Sequence, residues 1–138
     1  MTTTAVSTHP GLFEIDQPET YGNFLIENPV EIASYLRGLQ RHGSLITLYI
    51  DEGEHFFLTR LLDIDNKAGK ILLDTSRLGE MNHLATQSAQ ITLTATVERI
   101  KMQVRLSNIS IGTHQGKAAL VAPFPRRMLR LQRREFFR

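Results

Sequence analysis

The 138-residue chain is long enough for one domain with its own core, and its 41% hydrophobic and 22% charged residues suit a folded globular protein, not a disordered one. With no cysteine it holds no disulfide, no thiolate nucleophile and no Cys-ligated metal, and no apolar run reaches the roughly 18 residues of a membrane span. The formal charge of +2 conceals an asymmetry: residues 126–138 carry six arginines against Glu135, or +5, and the preceding 125 residues sum to −3.

Residues 1–21 are polar, Thr-rich at the start and interrupted by Pro10, Gly11 and Pro18. They lack the blocks of a signal peptide and are expected to form a flexible amino-terminal segment. The first strong local signal is a helix over residues 28–42. Asn28 can cap it, Pro29 suits its first turn and Glu31 stands three residues after the cap. Ile32, Ala33, Leu36 and Leu39 make its apolar stripe, with Arg37 and Arg41 outside that stripe. Gly38 weakens its middle, and Gly43 supplies a left-handed stop.

Strand patterns take over after Gly43. Residues 44–50 end at the turn Asp51-Glu52-Gly53-Glu54, residues 55–64 read as one long apolar strand, and Asp65-Asn66-Lys67-Ala68-Gly69 turns into a third strand at 70–74. Residues 75–86 read as a loop or a short helical turn. Ile91, Leu93, Ala95 and Val97 alternate within a strand at 90–100, residues 101–111 continue the meander, and 112–116 turn again. Residues 117–122 form a short strand closed by Pro123 and Pro125. About six antiparallel strands following one amphipathic helix exclude a βαβ fold. They predict a mainly β chain, a small split β-barrel over residues 22–125, with a basic carboxyl-terminal linker over 126–138.

Few side-chain groupings carry chemistry. The histidines at 9, 42, 55, 83 and 114 have no metal-ligand spacing. Asp63-Ile64-Asp65 starts like a calcium loop, but Lys67 and Ala68 stand where an oxygen ligand and a glycine are needed, so it reads as a hairpin turn. The acids at 51–54 read as a solvated turn. No nucleophile elbow and no Gly-rich phosphate loop is present, and the chain is not expected to be an enzyme.

The carboxyl end differs. Met128, Leu129, Leu131, Phe136 and Phe137 interleave with its arginines, which a merely solvated tail does not need, and Pro123-Phe124-Pro125 stiffens the approach. Arg134 and Arg138 stand four apart with two Phe between them. Such a pair can close on one ligand from two sides, because guanidinium matches phosphate oxygens and stacks on purine faces.

The run Arg133-Arg134-Glu135-Phe136-Phe137-Arg138 resembles the R-x-x-x-R motif of YcgR-type flagellar brake proteins. These are receptors for cyclic di-GMP in which a split β-barrel domain precedes a PilZ domain. The similarity runs over residues 22–138: a helix opening with Asn-Pro, the meander, the proline-bounded exit and the arginine motif. It implies the amino-terminal regulatory domain of a cyclic di-GMP-responsive flagellar brake. It also implies that Arg134 and Arg138 are ligand-binding residues, with Arg133 auxiliary and no cofactor or metal. The implied partners are cyclic di-GMP, a downstream PilZ domain and flagellar motor switch or stator proteins, with no nucleic acid and no membrane insertion. The implied location is the cytoplasm at the flagellar basal body.

The second motif of that family, Asn/Asp-x-Ser-x-x-Gly, belongs to the PilZ barrel. Asn108-Ile109-Ser110-Ile111-Gly112 imitates it, but the glycine comes one residue early and the run precedes the arginines, so it reads as a strand entering a turn. The chain is accordingly expected to carry half of a ligand site. Two alternatives are a flavin-binding split barrel and a nucleic-acid-binding module using the arginine tail. The first has no phosphate-cradling pattern here. The second has a barrel of charge −3 and only 7% aromatic residues with which to stack bases.

Overall fold

The computed structural model describes residues 13–132. A 3-10 turn at Glu14–Asp16, the single-turn helix α1 (Pro18–Tyr21), a second 3-10 turn at Gly22–Phe24 and the short strand β1 (Leu25–Ile26) lead into helix α2 (Pro29–His42). Local chemistry sets the limits of α2. The Asn28 side chain accepts hydrogen bonds from the backbone N–H groups of Val30 at 2.9 Å and Glu31 at 3.2 Å, and Gly43 ends the helix at φ 59°. Ile32, Ala33, Leu36 and Leu39 are all buried, as the stripe predicts.

The remaining elements are β2 (Ile46–Ile50), β3 (His55–Thr59), β4 (Leu61–Asp65), β5 (Lys70–Asp74), α3 (Gly79–Gln87), β6 (Ile91–Val97), β7 (Ile100–Leu106), β8 (Ser110–His114), β9 (Lys117–Pro123) and β10 (Met128–Gln132). They form two antiparallel sheets, ordered β1-β10-β7-β6-β2-β3 and β4-β5-β9-β8. Leu48 and Leu93 of the first sheet, Ile71 and Leu120 of the second, and Leu36 of α2 belong to one buried cluster. The mainly β class stands. The strands among the described residues number ten, not about six, and they form two open sheets that share a core without closing into a ring.

Several boundaries differ from the sequence reading, each for a non-local reason. The apolar run 55–64 divides at Arg60, where the chain passes from one sheet to the other. There the Thr59 hydroxyl donates to the Asp74 carbonyl at 2.6 Å and the Asp74 N–H donates to the Arg60 carbonyl at 3.0 Å. The meander breaks again at Asn108, which takes a left-handed φ of 51°, and the turn expected at 112–116 narrows to Gln115 and Gly116 because β8 runs on to His114. Residues Glu98 and Arg99, both at positive φ, form the two-residue connection between β6 and β7. The segment read as loop or short turn contains the nine-residue helix α3, preceded by paired hydrogen bonds between Ser76 and Asn82.

The expectation of a flexible segment over residues 1–21 fails from Phe13 onward. Phe13 and Ile15 are buried on the outer face of the larger sheet with Leu129 and Leu131, and the Phe13 and Tyr49 rings meet edge to face at 5.2 Å. Glu14 accepts hydrogen bonds from Lys101 and from the Gln103 side-chain amide, Gln103 in turn accepts the Ile15 N–H at 2.9 Å, and Asp16 pairs with Arg105. Lys101, Gln103 and Arg105 share one face of β7 by the two-residue strand period, so an alternating apolar and acidic segment can be laid along them. Residues 128–132, assigned to the basic linker, are likewise a strand within the larger sheet. The apolar residues interleaved with the arginines are the reason.

Candidate functional site

Arg133, Arg134 and Arg138, with Phe136 and Phe137, lie outside the described residues. The structure supplies the mount from which they leave. Strand β10 is paired along its length to β7, from Met128 opposite Val104 to Gln132 opposite Ile100, and at its start to β1, where Leu25 stands opposite Leu129. Its two faces are also covered. Met128 enters the main core, whereas Leu129 and Leu131 pack beneath Phe13 and Ile15 on the other side. The described part of the strand ends at Gln132, and the next residue in sequence opens the arginine motif.

Arg130, which alternation places on the same face as Met128, stands with its guanidinium carbon 5.4 Å from the centre of the Tyr35 ring on α2. Its Nε is buried and has no hydrogen-bond partner among the described residues. The side chain borders a recess of about 250 Å³ that also includes Glu31 and Asn23. Arg130 therefore ties the exit strand to α2 by stacking and partial burial, with a carboxylate at the rim. Neither this contact nor the Glu14–Gln103 network is announced by a motif. The available signals are the spacing of Met128, Leu129 and Leu131, and the alternation of Phe13 and Ile15 with two acids. Arg126 and Arg127 are exposed and stand ahead of β10, at the end of the strand away from the motif.

The remaining sequence features are placed as structural parts. Asp65 accepts the N–H groups of Lys67 and Ala68 in the β4–β5 turn, which is the hairpin reading of that segment. The imitation motif at 108–112 is a left-handed Asn108 followed by β8. A Cβ at Gly112 would stand 2.7 Å from Val121 Cγ2, so the glycine serves a close approach between β8 and β9. Among the described residues no group of three or more His, Asp and Glu side chains is placed to hold a metal ion, and no helix is long and apolar enough to cross a membrane.

Comparison with known proteins adds a family to this geometry. The domain family described as "Flagellar regulator YcgR, PilZN domain" matches residues 24–130. Flagellar brake protein YcgR 1 of Dechloromonas aromatica is 44% identical over 126 residues, which cover 91% of this chain and 48% of that protein. The chain thus spans about half the length of the curated relatives it matches. Among solved structures, YcgR of Escherichia coli in complex with c-di-GMP superposes with a TM-score of 0.76 at 22% identity, covering 82% of this chain and 48% of that one. The isolated YcgR-N domain of the same organism gives 0.71 at 22% identity and is covered over 96% of its length. Both structures share the fold of the two open sheets.

Proposed function

Because the chain belongs to the PilZN family of YcgR flagellar regulators, we propose that it is the amino-terminal regulatory domain of a cyclic di-GMP-responsive flagellar brake. In this reading Arg134 and Arg138 grip the ligand, Arg133 assists, and a PilZ barrel following in the same protein supplies the rest of the pocket. The domain works by binding and not by catalysis. It acts in the cytoplasm at the flagellar basal body, where the liganded protein engages switch or stator proteins and slows the motor.

The observation that carries the reading is the placement of β10. Gln132 is held opposite Ile100, and one residue, Arg133, separates it from Arg134. A ligand that draws Arg134 towards a second domain therefore pulls on a strand integral to the sheet, and the whole domain turns with it. A long flexible tether would absorb that displacement. Each charge-assisted bond from an arginine to phosphate contributes about 1.5–3 kcal/mol net, so two of them with base stacking account for micromolar affinity in a completed pocket. In the absence of the second barrel, the conformational entropy lost on ordering the arginines offsets much of that gain.

The test is calorimetry with cyclic di-GMP on the intact gene product and on its Arg134→Ala/Arg138→Ala variant, alongside swimming assays of strains carrying each. Micromolar binding that weakens by about 100-fold or more in the variant, with relief of ligand-dependent slowing, is the expected result. Equal affinity in the two proteins overturns the assignment of the arginines, and an intact product that ignores the ligand overturns the function.

A further inference from the structure

A second cluster of arginines lies at the opposite end of β10 from the motif. Arg126 and Arg127, with Arg105 from the end of β7, line a cleft of about 690 Å³, a size at which small phosphorylated ligands are accommodated. Arg126 and Arg127 are exposed and make no hydrogen bond or ion pair among the described residues. Arg105 spends one terminal guanidinium nitrogen on the Asp16 carboxylate, and its Nε is buried without a partner among the described residues. Asp16 is the one carboxylate among the described residues that line the cleft, so three planar cations face one negative charge.

The walls are stiff. Pro123 and Pro125 fix the backbone on either side of Phe124, and Asn108 is held in the left-handed region at φ 51°. Phe124, half-buried between these prolines, offers an apolar face, and Ser107 and Asn108 add neutral hydrogen-bonding groups. Forked donors at that density match the tetrahedral oxygens of phosphate better than a single carboxylate. We infer that this cleft binds a phosphate-bearing small molecule, at a site separate from Arg134 and Arg138. In sequence, the five residues of β10, about 17 Å of extended chain, follow Arg127 before Arg133 opens the motif.

The inference is independent of the cyclic di-GMP reading, and its test keeps the two apart. Backbone amide signals of the chain are followed by NMR during titration with sodium pyrophosphate, and separately with ADP. The expected result is saturable shifts confined to Arg105, Ser107, Asn108, Arg126 and Arg127, with a Kd of about 1 mM for pyrophosphate. Arg126→Ala/Arg127→Ala should weaken that binding at least about tenfold, whereas Arg134→Ala/Arg138→Ala should leave it unchanged. Tighter binding of ADP assigns a nucleotide with its ring on Phe124, and equal binding assigns the phosphate group alone; both support the site. Shifts that do not saturate, that ignore the Arg126/Arg127 replacement, or that vanish with Arg134 and Arg138 overturn it.

Discussion

Replacing Gln103 by Leu tests whether the segment from Phe13 to Asp16 is part of the fold. Gln103 is 1% exposed; its carbonyl oxygen accepts the Ile15 N–H at 2.9 Å, and its amide donates to Glu14 at 2.7 Å. Leu has a similar volume, so the cavity contribution is small and the loss is mainly in hydrogen bonds. Stranding the buried Ile15 N–H costs about 1–3 kcal/mol, and a charge-assisted bond to Glu14 is worth about 1.5–3 kcal/mol. Glu14 keeps Lys101 at 3.0 Å, which holds its share near the lower end. The expected loss is therefore about 2–4 kcal/mol, and with a urea m-value near 2 kcal/mol/M the midpoint falls by about 1–2 M. Hydrogen exchange of the Ile15 amide should accelerate before that of the core strands. A Glu14→Ala change made together with Gln103→Leu should cost less than it does in the native chain, the difference being the coupling energy. A midpoint within about 0.25 M of the native value, equivalent to about 0.5 kcal/mol, together with unchanged Ile15 protection, would refute the docked arrangement.

Asn28→Ala should cost about 1 kcal/mol in thermal or urea unfolding, because two N–H groups at the start of α2 lose their acceptor. Gly112→Ala should destabilise by about 1–3 kcal/mol through its contact with Val121, and Val121→Ala in the same chain should recover part of that loss; a neutral Gly112→Ala change would contradict the close approach. Changing Glu98-Arg99 to Asn-Gly should raise stability by about 1 kcal/mol, since both positions hold left-handed backbone conformations that those residues adopt at lower cost. Finally, the chain by itself should bind cyclic di-GMP weakly or undetectably by calorimetry; one-to-one micromolar binding would refute the proposed need for a second domain.

Helix α2 was legible almost to the residue because its determinants are local: an Asn cap, a proline in the first turn, a stripe at helical spacing and a glycine stop. The strand pairing was not. Nothing between His55 and Ile64 marks Arg60 as the point of transfer between sheets, since the transfer depends on which partners β2 and β5 present. Strand β10 was hidden by its charge, although Leu129 and Leu131 point to one face in the manner of any half-buried strand. The segment from Phe13 to Asp16 carries the same alternation, but over too few residues to outweigh the flanking Pro10, Gly11 and Pro18. The arginine motif is local, so its resemblance could be read directly. The cleft formed by Arg105, Arg126 and Arg127 joins positions far apart in the chain, and only the folded sheet brings them together.

The way β10 is seated has a mechanical corollary. A force applied at Gln132 along the axis of β10 would load the backbone ladder to β7 in shear, so that its bonds must yield together. A terminal hairpin pulled crosswise would instead unzip one bond at a time. Leu129 and Leu131, covered by Phe13 and Ile15, would also have to slide out of an apolar sleeve before the strand could leave. Paired to β7 along its length and buried on both faces, β10 would pass such a load to the whole β-scaffold.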